Sequence, residues 1–228
     1  MVMEAKGKTP NIDLATALKN AAISAENAGN NEAALQVYKE WIAIAPEASA
    51  YRSYAILLKN SSKTEEAKKV VDEALIKYPN DANLLVEKIN FFLEGAQYAE
   101  ALTFVNNLLQ VEPNNDGALF IKGLAYDKLG KEDSVIYYYE KAAAANPKNV
   151  KPLNNLGAIY VNKANAMVDA MNKLGNSTDD TKKYEEYKKQ RRELYLKAKP
   201  YLERAKIIAP EDEQISRILK QIELYTKD

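Results

Sequence analysis

Catalysis near neutral pH needs side chains that ionise, ligate or attack, and the clustered candidates in this sequence are carboxylates. The pairs Glu65-Glu66, Asp179-Asp180 and Glu185-Glu186, with the run Glu211-Asp212-Glu213, invite an acid-base or calcium reading. Successive residues of a helix point about 100° apart, so adjacent carboxylates diverge rather than meet at one substrate atom. The same residues suit helix starts, where negative side chains complement the backbone dipole. No Gly-containing loop accompanies the Glu211 run, as a calcium site requires. Among 228 residues there is no histidine and no cysteine. An imidazole base, a Ser-His or Cys-His nucleophile and a zinc site of nitrogen and sulfur ligands are therefore excluded. Disulfides are excluded too, which leaves the redox compartment unread. The eight glycines are dispersed singly instead of forming a phosphate-binding loop. The sequence assigns no catalytic residue, no cofactor and no metal, and predicts a protein that is not an enzyme.

Charge and hydropathy narrow the partners. Lysine and arginine total 32, as do aspartate and glutamate, for a formal charge of zero. That balance conceals a basic stretch: residues 181–206 hold ten basic and four acidic side chains, a net of +6 against −6 elsewhere. The basic positions fall around the whole helix, which fits a solvated surface better than a nucleic-acid stripe. No nucleic-acid partner is predicted. No run of about 18 apolar residues occurs, so no membrane span is predicted. The opening MVMEAKGKTPN lacks the apolar core of an export signal.

The elements that would position any site are visible in the prolines. Pro46, Pro79, Pro113 and Pro147 are separated by 33, 34 and 34 residues, and Pro210 follows 63 later. A fixed period in this range marks a stacked repeat. Twelve residues before each proline stand Ala34, Ala67, Ala101, Val135 and Ala198; eight before stand Tyr38, Val71, Val105, Tyr139 and Leu202. Apolar residues such as Val70, Val71, Ala74 and Leu75 recur at helical spacing, and no segment alternates with period two. Each unit reads as two helices joined by a turn at Gly95, at Gly130 or at Asn60-Ser61-Ser62, and closed by the next proline.

These residues resemble the tetratricopeptide repeat (TPR) family, a 34-residue helix-turn-helix unit. Asn154 to Tyr160 carries the family's Leu-Gly-x-x-Tyr as Leu156-Gly157-Ala158-Ile159-Tyr160, and Ile121 to Pro147 matches nearly a whole unit. The family's small-residue slot holds Ala22, Ala55, Gly123 and Gly157, but bulky Ile89 in the third repeat. Its early tryptophan is replaced by Leu18, Tyr51, Leu85, Leu119 and Leu153. The resemblance implies an all-α, right-handed solenoid of five helix pairs and a capping helix, in one domain over residues 1–228. The repeats would span about 12–46, 48–79, 82–113, 116–147 and 150–210, with a helical hairpin at 161–197 and the cap at 211–226.

That hairpin arises because 38 residues separate Tyr160 from Ala198 where the other repeats leave nine. Tyr160, Ala164, Met167, Met171 and Leu174 alternate spacings of four and three, as do Tyr184, Tyr187, Arg191, Leu194, Ala198, Tyr201 and Ala205. This is a heptad seam on two helices. Arg191 is its misfit, expected to reach outward. Pro200 is expected to kink the returning helix.

The resemblance also implies where a partner would dock, since first helices in this family line the concave face. Repeat mapping places Arg52, Val86, Phe120 and Asn154 in one row and Ile56, Asn90 and Leu124 in a second, with Lys59 and Leu93 further on. These nine are the candidate binding residues, an apolar strip rimmed by Arg52, Lys59 and Asn90. Packing between neighbouring helices is the competing explanation for them. The Lys and Asn pattern of the family's chaperone-tail clamp is absent. The expected function is a scaffold binding a protein or peptide; the alternative is a self-assembly subunit using the 160–198 hairpin or the N-terminal end. Either a monomer or a weak homodimer fits. The elongated last repeat resembles TPR proteins of the Bacteroides group, which implies a periplasmic or membrane-associated setting after export, with a cytoplasmic protein as the alternative.

Overall fold

The computed structural model describes residues 10–227. The opening residues considered above for an export signal lie outside them, apart from Pro10 and Asn11. Among the described residues there are eleven helices and no strand. They fall into two compact units divided after Pro113.

The first unit holds α1 (Pro10–Asn27), α2 (Asn31–Ile44), α3 (Ala48–Asn60), α4 (Thr64–Lys77), α5 (Ala82–Glu94) and α6 (Tyr98–Val111). The second holds α7 (Asp116–Lys128), α8 (Glu132–Ala145), α9 (Val150–Met171), α10 (Thr178–Ile208) and α11 (Glu213–Thr226). Within each unit every helix packs on the next in sequence. In the first unit α3 also touches α5. Short connections of this kind make antiparallel helix neighbours.

The recurring prolines act together with a cap that repeats two residues later. Asp81, Asn115, Asn149 and Asp212 each accept a hydrogen bond from a backbone N–H of the following first turn, at 2.8–3.1 Å. Proline cannot extend the preceding helix, and the short polar side chain satisfies a donor of the next. Ser177 starts α10 with a full capping box: its Oγ accepts from the Asp180 N–H at 3.1 Å, and Asp180 reaches back to the Ser177 backbone.

The turns inside the first four helix pairs each carry a left-handed residue. Gly29 and Gly130 have φ of 72° and 69°, and Ser62 takes 62°. In the third pair the left-handed residue is Ala96, at φ 54°, and not Gly95, whose φ is −83°. Alanine in that region carries about 1 kcal/mol of strain. Ala96→Gly is therefore expected to raise the urea midpoint of unfolding at unchanged m, a gain in stability of about 1 kcal/mol.

The small-residue slots are filled as the repeat demands. Ala34, Ala67, Ala101 and Ala198 are fully buried and Val135 nearly so. A Cβ added at Gly123 would stand 2.6 Å from the Tyr139 ring, and one at Gly157 would stand 2.5 Å from Leu202.

The inserted residues lengthen both helices of the last pair, and α10 runs through Pro200 as one helix. Ala164, Met171, Ala198 and Ala205 of the seam are buried, whereas Tyr184 is 45% exposed. Arg191 does not reach for solvent. Its guanidinium lies 4.3 Å from the Tyr225 ring centroid, so a cation–π contact with α11 replaces the expected outward path. One full turn beyond it, Tyr195 is completely buried. Its hydroxyl donates to Asn165 of α9 and accepts from Gln221 of α11, both at 2.9 Å, while its ring stacks on Tyr225.

Candidate functional site

The nine candidate residues divide between the units. Arg52, Ile56, Lys59, Val86, Asn90 and Leu93 lie on α3 and α5; Phe120, Leu124 and Asn154 lie on α7 and α9.

In the first unit, Ile56, Val86, Asn90 and Leu93 are half-buried, as residues flanking a helix–helix contact are. Arg52 and Lys59, the two cations of the expected rim, are paired with α5. Arg52 Nε donates to Glu87 Oε1 at 3.0 Å, and Lys59 pairs with Glu94. Lys59 also lies 5.6 Å from the Phe91 ring centroid. Both pairs span 35 residues, one repeat plus one position, and so tie the same faces of α3 and α5 at two rungs about two helical turns apart. Partly exposed pairs of this kind contribute about 0.2–1 kcal/mol each. Their larger effect is to cancel the rim's positive charge. Glu87 and Glu94 belong to this surface, and adding 35 to each cation would have found them in the sequence.

In the second unit, Phe120 is half-buried and stacks on Tyr139, with ring centroids 5.4 Å apart. It serves the packing between α7 and α8 as well as the surface. Asn154 holds its Oδ1 out of solvent with no hydrogen-bond partner. Leu124 lines a cleft of about 280 Å³ together with Asp127, Tyr139, Asn155, Ala158, Ile159 and Asn162. Burial pushes the Tyr139 hydroxyl above its usual pKa against a hydrogen bond with Asn155, and the nearby Asp127 charge adds to the rise. Asp127 continues the row of Lys59 and Leu93, one repeat beyond Leu93. Sequence reasoning passed over it because the row was sought as an apolar strip.

No group of three or more carboxylates capable of holding a metal occurs among the described residues. No helix among them is long and apolar enough to cross a membrane.

No family model matches the chain. A TPR repeat-containing protein of Methanocaldococcus jannaschii is 27% identical over 154 residues, which are 63% of this chain and 27% of that protein. The photosystem I assembly protein Ycf3 of Prochlorococcus marinus is 31% identical over 105 residues, or 42% of this chain and 61% of the relative. The chain thus matches less than two thirds of the length of either. Among solved structures, a tetratricopeptide repeat protein from Parabacteroides merdae aligns with a TM-score of 0.60 over 91% of this chain and 98% of its own. Its 15% identity makes that a likeness of fold. These relatives are named as repeat and assembly proteins and not as enzymes. None of the names refers to a periplasm, so the expectation of export rests on the Bacteroides-group likeness alone. By its own repeat and by these likenesses, the chain has the all-α fold of tetratricopeptide-repeat proteins and is similar in sequence to members of that family.

Proposed function

We propose that the chain is a non-enzymatic scaffold that binds a protein or peptide through the first-helix faces of its repeats. The observation that carries this reading is the state of those faces. In the first unit Arg52 and Lys59 are neutralised by Glu87 and Glu94, while Ile56, Leu93 and, in the second unit, Leu124 keep part of their apolar surface in solvent. Apolar surface of this kind, with its flanking cations already paired in the first unit, releases water favourably when an apolar side chain covers it. The relative named for photosystem I assembly is a precedent for a repeat protein serving assembly.

Affinity capture from extracts of the source cells tests it, with the wild-type chain beside Ile56→Glu and Leu124→Glu. Burying either new carboxylate against an apolar partner is costly, so captured partner should fall at least tenfold in one variant or both, with the circular dichroism spectrum unchanged. Capture insensitive to both substitutions would sink the proposal.

One observation favours the self-assembly alternative. At the tip of the α9–α10 hairpin, exposed Tyr184 lines a cleft of about 380 Å³ with Met171 and Leu174. A homodimer in light scattering that Tyr184→Glu dissociates, and that Ile56→Glu and Leu124→Glu leave intact, would select it.

A further inference from the structure

The ladder that joins first helices in the first unit recurs in the second with different side chains. Two repeats beyond Lys59 and Glu94, the same positions are occupied by Asp127 on α7 and Asn162 on α9. Two repeats beyond Arg52 and Glu87 stand Phe120 and Asn155. The first unit therefore places a cation opposite an anion at both rungs. The second places an anion opposite an amide at one rung and no charge at the other.

Asp127 consequently has no countercharge of its own. No ion pair and no side-chain hydrogen bond engages it among the described residues, and it is exposed. Of the neighbouring cations, Lys163 pairs with Glu132, while Lys131 shares with Asp127 the lining of an adjoining cleft of about 230 Å³ but forms no ion pair with it. The carboxylate stands at the edge of the 280 Å³ cleft, whose walls have two characters. Leu124, Ala158 and Ile159 present hydrocarbon; Asn155 and Asn162 present amides whose oxygens accept hydrogen bonds.

We infer that this cleft between α7, α8 and α9 receives a lysine or arginine side chain from the bound partner. The apolar wall suits the methylene stem, and Asp127 with the two asparagines suits the charged head. An acidic or purely apolar anchor would leave the carboxylate facing a like charge or without water. The inference rests on the scaffold reading and specifies the chemistry of its partner: a segment carrying a cationic anchor into the second unit.

Nuclear magnetic resonance on the full ¹⁵N-labelled chain tests it directly. The probes are N-acetyl-arginine N-methylamide and N-acetyl-lysine N-methylamide, with the neutral citrulline analogue as comparison. The expected result is that the cationic probes shift the side-chain amide signals of Asn155 and Asn162, and that citrulline does so at least tenfold more weakly. Asp127→Asn should weaken the cationic response about tenfold, whereas Asp133→Asn, on the exposed start of α8, should leave it unchanged. Absent shifts, an equal response to citrulline, or an undiminished response in Asp127→Asn would each overturn the pocket. If the probes fail while Ile56→Glu or Leu124→Glu still abolishes partner capture, the pocket is refuted and the scaffold stands. Loss of the scaffold reading would show separately, as capture that ignores those two substitutions.

Discussion

Replacing Tyr195 by alanine is expected to destabilise the second unit by about 3–5 kcal/mol, while phenylalanine costs about 1 kcal/mol. The difference follows from what each change removes. The ring is fully buried, stacked on Tyr225 and packed where α9, α10 and α11 meet, so alanine leaves a cavity there. Phenylalanine keeps the ring and loses the hydroxyl that links Asn165 to Gln221. Asn165 is exposed and regains its hydrogen bond from water, which limits that loss. Urea unfolding followed by circular dichroism measures both changes. Amide exchange in α11 should accelerate strongly in the alanine variant, because Tyr195 is one of the principal contacts holding that helix. Equal losses for the two substitutions would mean that the hydroxyl, and not the packed ring, secures the cap.

A second large effect is expected at Gly123. Alanine in place of a mid-helix glycine normally gains about 1 kcal/mol of helix propensity. Here the added Cβ would meet two Tyr139 ring carbons at 2.6 and 2.7 Å, and that ring is backed by Phe120. Overpacking of a well-filled core costs about 1–3 kcal/mol for small insertions, so Gly123→Ala should be destabilising on balance and Gly123→Val more so. Gly157→Ala is the informative comparison. Its nearest atoms are Cδ2 and Cγ of Leu202, an aliphatic side chain that shifts rotamer more readily than a stacked ring, so the loss should be smaller. Thermal unfolding of the three variants checks the order. A Gly123→Ala protein as stable as the wild type would show that Tyr139 has room to move.

These glycines also explain an irregularity in the repeat. The slot that holds Gly123 and Gly157 faces the residue eight before the proline, which is Tyr139 or Leu202. In the third repeat the corresponding residues are Ile89 and Val105, both fully buried. The bulkier Ile89 goes with a residue smaller than the Tyr139 that faces Gly123, a substitution in the sense that a filled core requires. The slot is therefore occupied by a large residue only where the position eight before the proline is not aromatic.

The candidate surface was legible to a lesser degree. The repeat placed Ile56, Val86, Leu93 and Leu124 on first helices, where they are, because face is a matter of helical period. It also placed Arg52 and Lys59 there, but not their partners. Whether a lysine is a free rim charge or half of a pair depends on a residue 35 positions away coming within about 4 Å, and no local pattern reports that. Asp127 was missed for the opposite reason. It broke an apolar row, and the consequence of the break appears only when Asn162 is seen to offer no cation.

Period, punctuation and composition are properties of neighbouring residues. From them alone follow the helices, the proline stops, the elongated last pair and the lack of the usual catalytic groups, since each rests on backbone geometry repeated every few residues. Side-chain placement across helices is different in kind. The burial of Tyr195 under α11, the stacking of Arg191 on Tyr225, the pairing of Arg52 with Glu87 and the lack of a cation opposite Asp127 all depend on distances between helices well separated in sequence. Those distances are set by how whole helices interlock, because side chains of many sizes satisfy the same helical period while only some combinations fill the space between two helices.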